Sequence, residues 1–97
     1  MIRHIVLFRV LEGTPRERVQ EAIDRLEALV DVTPGLRSLE AGTDIGIKGN
    51  FDFGLVAEFE DRAALEVFST DATHMEVAMD ILKFRRETDI AILDLEI

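Results

Sequence analysis

The reading of the fold turns on the stretch Ile2-Arg3-His4-Ile5-Val6-Leu7-Phe8-Arg9-Val10. The run is rich in β-branched and aromatic residues, which marks a strand. Successive side chains of a strand point to opposite faces. One face therefore carries Ile2, His4, Val6, Phe8 and Val10, and the other Arg3, Ile5, Leu7 and Arg9. Both faces are apolar in the middle, so both need cover.

Downstream, Glu12-Gly13 turns the chain and Thr14-Pro15-Arg16-Glu17 has the marks of a helix start. Thr14 can cap, Pro15 suits the first helical position, and Glu17 stands where a capping box places it. Val19, Ala22, Ile23, Leu26, Leu29 and Val30 then recur at helical spacing as one apolar stripe, with Glu21 and Arg25 as an i,i+4 pair on the solvent side. Thr33-Pro34-Gly35 ends the helix, because Pro cannot continue it and Gly accepts positive φ. A weaker strand runs from Leu36 to about Ile45, and Gly46, Gly49 and Asn50 mark a hairpin loop. Phe51 to Glu60 alternates cleanly and is a third strand.

Asp61 caps a short helix holding Ala64, Leu65 and Phe68, and Ser69-Thr70-Asp71 breaks it and caps a second stretch to about Arg86. Two stripes lie on that stretch, Met75/Ala78/Met79/Leu82 and His74/Val77/Ala78/Ile81. The phenylalanines, Met75 and Met79 are assigned to the core, and Lys83, Arg85 and Arg86 to the helix C-terminus, whose dipole favours cations. Ile90 to Ile97 closes the chain as a fourth strand.

The order β-α-β-β-α-β is the split βαβ arrangement of a ferredoxin-like α+β domain, an antiparallel sheet with its helices on one face. At 97 residues, the whole of 1–97 reads as one domain. Whichever face of the first strand meets the helices, the other shows either Ile5 and Leu7 or Val6 and Phe8. Each large apolar side chain taken from water contributes ~1.5–3 kcal/mol, so such a face calls for a partner. A homodimer packing sheet against sheet, closed around a shared apolar interior, meets the need.

Eleven Lys and Arg against 20 Asp and Glu give a net charge of −9. That balance argues against nucleic acid and against anionic membrane surfaces as partners. The absence of Cys removes disulfides, thiolate metal sites and cysteine nucleophiles, and the absence of Tyr removes a phenolic acid or base. No apolar run approaches the roughly 20 residues of a membrane span, and the opening segment is unlike a secretion signal, so a cytoplasmic location is expected.

The opening Met1-Ile-Arg-His-Ile-Val-Leu-Phe, the Thr33-Pro34-Gly35-Leu36 turn, the Asp52-Phe53-x-Leu55-Val56-x-x-Phe59 strand and the Ala72-x-His74 stretch together resemble the stress-responsive A/B barrel (Dabb) family. The resemblance spans nearly the whole chain and implies a dimeric α+β barrel. Related folds include small-ring isomerases, polyketide cyclases and haem-associated monooxygenases, and many Dabb members have no known activity. The resemblance to the family's polyketide cyclases implies that His4 matches a pocket histidine, His74 a catalytic histidine and Asp94 an aspartate of the last strand. A pocket tyrosine falls on Phe68, and two further histidines fall on Phe53 and Asp71, so the hydroxyl and two imidazoles are missing here.

His4 and His74 are the side chains that titrate near neutrality, which makes them the acid–base candidates. First and last strands are antiparallel neighbours in this topology, so in the right register His4 and Asp94 pair across strands and the carboxylate fixes the imidazole tautomer. Two readings stand side by side. In one, His74 is a general base beside a carbonyl, His4 with Asp94 orients or protonates the substrate, and Phe8, Phe53, Phe68, Ile90 and Ile92 line a small apolar cavity in each subunit half. That describes an isomerase or lyase acting without a cofactor on a hydrophobic small molecule. In the other, His4 is a hydrogen-bonded strand residue, Asp94 a solvated strand end and His74 half exposed and inert, in a non-catalytic binding or structural dimer. No axial-ligand motif for haem, close-spaced HxH or HExxH metal pattern, or phosphate-cradling loop is present.

Overall fold

The computed structural model describes all residues 1–97. Strands β1 (Ile2–Val10), β2 (Leu36–Thr43), β3 (Phe53–Phe59) and β4 (Arg85–Glu96) form one antiparallel sheet in the order β2-β3-β1-β4. Helices α1 (Arg16–Ala28), α2 (Arg62–Thr70) and α3 (Ala72–Leu82) lie on one face, and a 3-10 turn at Leu29–Asp31 extends α1. The chain has the β-α-β-β-α-α-β form of the ferredoxin-like fold. No helix is long and apolar enough to cross a membrane.

The core lies between helices and sheet. Ile2, Val6 and Phe8 of β1, Phe53, Leu55, Ala57 and Phe59 of β3, and Leu36 and Leu39 of β2 meet Val19, Ala22, Ile23 and Leu26 of α1. The even-numbered face of β1 is thus the helix side. Register puts Ile5 beside Val56 and Leu93, and Leu7 beside Gly54 and Ala91, all on the helix-free side. Leu7, Val56, Leu93 and Leu95 stay 39%, 42%, 54% and 38% exposed there. An Arg3–Glu58 ion pair at 2.9 Å borders this apolar strip.

Asp61 accepts a hydrogen bond from the Ala64 amide and caps α2. Asp71 ends α2 in an extended conformation and caps α3 by accepting from the Thr73 and His74 amides. Gly35 has φ +81°, the left-handed conformation that the turn into β2 needs.

Several local expectations give way to other contacts. The Thr14 hydroxyl donates to the Leu11 carbonyl at 2.6 Å, so the residue flanking α1 is Pro15 and no side chain caps it. Arg25 leaves Glu21 and joins Arg18 on Asp80, at 3.2 Å and 2.6 Å, tying α1 to α3. Strand β2 stops at Thr43 and β3 starts at Phe53, because Asp44 accepts from the amides of Gly46 and Ile47 and holds the loop. On α3 the Val77/Ile81 stripe is buried, while Met75 and Met79 are 44% and 56% exposed and stand outside the core. Helix α3 ends at Leu82, and β4 begins at Arg85 rather than Ile90. Arg85 is therefore a strand residue, not a helix-end cation. Its Nη1 donates to the carbonyls of Arg86 and Glu87 across a bulge, where Phe8 pairs with Ile90 but Val10 pairs with Arg85.

Candidate active site

The β1–β4 register sets His4 directly opposite Asp94. His4 Nδ1 lies 2.5 Å from Asp94 Oδ1. A carboxylate can only accept, so Nδ1 carries the proton of this bond and Nε2 is the ring nitrogen left for a ligand. The His4 side chain is mostly buried, at 15% exposure, and its ring meets Phe59 edge-on at 6.2 Å.

His74 comes from the other layer. The break at Asp71 bends the chain between Phe68, near the end of α2, and His74, in the first turn of α3. The two rings lie against each other with centroids 3.9 Å apart, and Phe68 in turn packs on Phe59 at 4.9 Å. His74 Nδ1 is enclosed and lacks a hydrogen-bond partner. Burial pushes the imidazole below its ordinary 6.5. The nearby Phe68 carbonyl opposes that shift, the charge of His4 adds to it, and Asp71 opposes it.

Between these layers is a pocket of about 400 Å³. Twelve of its 16 lining residues are hydrophobic, and both histidines are in its wall. Phe8, Phe68, Ile90 and Ile92 line it as well. Phe53 does not: it is buried behind Phe8, stacked on it at 4.6 Å. Asp94 reaches the pocket through His4 alone. The hollow thus lies between sheet and helices inside one chain, on the side opposite the strip left for a partner. A larger hollow of about 550 Å³ opens on the helix-free face over Gly42 and Gly54, beside Leu7 and Val56. It holds neither histidine. Arg85, Leu82 and Met79 also line the helix-side pocket, where the sequence reading gave them other roles. Leu82 and Met79 share a readable stripe on α3, whereas Arg85 carries no such signal. No cluster of three or more His, Asp or Glu side chains is arranged to hold a metal ion.

The profile of the stress responsive A/B barrel domain (Dabb) matches residues 2–97. The chain belongs to the Dabb family. Solved structures similar to this chain agree in fold. A dimeric ferredoxin-like protein of unknown function from Thermobifida fusca is 26% identical, with a TM-score of 0.87, covering 99% of this chain and 90% of that one. A Dabb family protein from Mesorhizobium loti is 20% identical, with a TM-score of 0.79 and coverage of 99% and 95%. A hydroxynitrile lyase from Passiflora edulis is 21% identical, with a TM-score of 0.84 and coverage of 99% and 92%. No curated protein matches the sequence.

Proposed function

We propose that this Dabb protein works as a homodimer in which each helix-side pocket binds a small hydrophobic molecule and His74 acts as general base. The carrying observation is an imidazole whose pKa burial lowers, set in an apolar wall beside a second, carboxylate-bonded imidazole. At neutral pH such a ring is uncharged and has a lone pair to offer. Its unprotonated ring nitrogen takes a proton from carbon next to a carbonyl, and the electron pair moves onto the carbonyl oxygen. His4, held by Asp94, orients that oxygen or returns the proton at a different atom. Returning it at a different atom gives an isomerisation, and expelling a leaving group from the enolate gives a lyase reaction. No redox step is involved. A hydroxynitrile lyase among the structural neighbours accords with lyase chemistry on this fold.

The dimer reading rests on the Ile5/Leu7/Val56/Leu93/Leu95 strip and on dimeric neighbours such as the Thermobifida fusca protein. The hollow over Gly42 and Gly54 lies on this same helix-free face, beside Leu7 and Val56.

The test is exchange of the α-protons of 4-phenyl-2-butanone in D2O, followed by NMR with wild type and His74→Gln. Exchange above the buffer rate that is lost in His74→Gln is expected. An equal rate in both proteins removes His74 as the base. Binding with exchange no faster than buffer leaves a non-catalytic binding protein.

A further inference from the structure

The chain has 20 acidic residues, yet none of them lines the helix-side pocket. The charged or titratable groups in its wall are His4, His74 and Arg85. Arg85 makes no ion pair, and of its guanidinium nitrogens Nη1 alone is engaged, by two main-chain carbonyls of the β4 bulge. Nε and Nη2 keep their donors uncommitted, in a wall otherwise dominated by hydrocarbon. A guanidinium that presents a pair of free N–H groups is matched to a carboxylate, which it can bind through two parallel hydrogen bonds.

Register fixes where this anchor stands. Arg85 pairs with Val10 at one end of β1, while Asp94 pairs with His4 six residues away. A strand rises about 3.3 Å per residue, so the backbone positions are on the order of 20 Å apart, less the reach of the two side chains. Ile90, Ile92, Val6 and Phe8 form the apolar floor between them. The pocket wall is thus cationic toward one end of β1 and imidazole-lined toward the other.

We infer that the ligand of this pocket is an extended apolar monocarboxylate, its carboxylate held by Arg85 and its chain running along β1 to His4 and His74. The inference rests on the pocket being a ligand site. It names the ligand's charge, its polarity and its orientation. The carbon that reacts is then one far from the carboxylate, next to a carbonyl at the imidazole end.

Octanoate and octanamide have the same chain and differ in charge, so NMR titration of the whole protein with each isolates the anchor. Octanoate is expected to bind at least about tenfold more tightly, as one charge-assisted contact supplies. It should shift the Arg85 Nε–H resonance and the His74 ring resonances together, whereas butanoate should shift the first alone. Arg85→Gln should bring octanoate to the affinity of octanamide and leave octanamide unchanged. Equal affinity of the two in wild type, or a preference that survives Arg85→Gln, overturns the inference while leaving the pocket intact. If neither compound moves a His74 resonance, the pocket reading fails and takes the inference with it. The Arg85 Nε–H shift in unmodified protein decides the matter even if Arg85→Gln loosens the bulge.

Discussion

Replacing Leu93 by Asp strikes the helix-free face at its most exposed leucine. Leu93 pairs with Ile5 in the middle of the apolar strip and is 54% exposed in the isolated chain. Full burial of a leucine contributes ~1.5–3 kcal/mol, so covering the exposed half contributes about 0.8–1.6 kcal/mol in each protomer. An isologous interface counts the residue twice, which makes the loss about 1.6–3 kcal/mol per dimer. The introduced carboxylates add several kcal/mol more, since each would be buried without a cation. The dissociation constant should therefore rise at least about a hundredfold. Sedimentation velocity across a micromolar dilution series reads this directly: wild type sediments as a dimer and Leu93→Asp as a monomer with unchanged circular dichroism. Val67→Asp, on the 61% exposed surface of α2, is the control and should remain dimeric. A Leu93→Asp protein that dimerises as tightly as wild type would refute the assignment of this face.

Other outcomes follow from the packing and the titrating groups. Gly35→Ala forces a side chain onto φ +81° and brings its Cβ to 2.6 Å from the Ala64 Cβ, so urea unfolding should show a loss of about 2–4 kcal/mol. Asp80→Asn removes the charge on which Arg18 and Arg25 converge, and should cost about 1–2 kcal/mol at pH 7. The Arg18 hydrogen bond holds the Asp80 carboxyl below its ordinary 3.8, so its stabilisation is present above that value and lost as pH falls through the folded pKa. The difference between wild type and Asp80→Asn should vanish in strong acid. For His74 the folded pKa is depressed, so the unfolded chain protonates first below about 6.5. Stability present above 6.5 is lost as pH falls through the folded value, and His74→Gln should flatten that part of the pH–stability curve.

Much of the architecture can be read from the alternation of β1 and the caps at Asp61 and Asp71, because those are local and strong. The His4–Asp94 juxtaposition is legible too: the topology makes β1 and β4 neighbours, and register does the rest. Thr14 misleads because a hydroxyl near a helix start has two acceptable uses, and the turn at Leu11 takes it. Helix α3 carries two adjoining apolar stripes, and only the position of α1 decides that Val77 and Ile81 go inward while Met75 and Met79 do not. Because both faces of β1 are apolar, the pattern cannot say which side holds the hollow. The stretch Phe84-Arg85-Arg86-Glu87-Thr88-Asp89 lacks a period-2 apolar signal, so the start of β4 reads as the tail of a helix. The one cation of the pocket is hidden in that misreading.

At neutral pH the helix-side pocket should hold an uncharged His74 imidazole. Titration of the His74 ring by NMR in uniformly labelled wild type measures this with no substitution and no ligand. The expected midpoint lies below 6.5. A midpoint at or above 6.5 would contradict burial of a neutral base in this pocket.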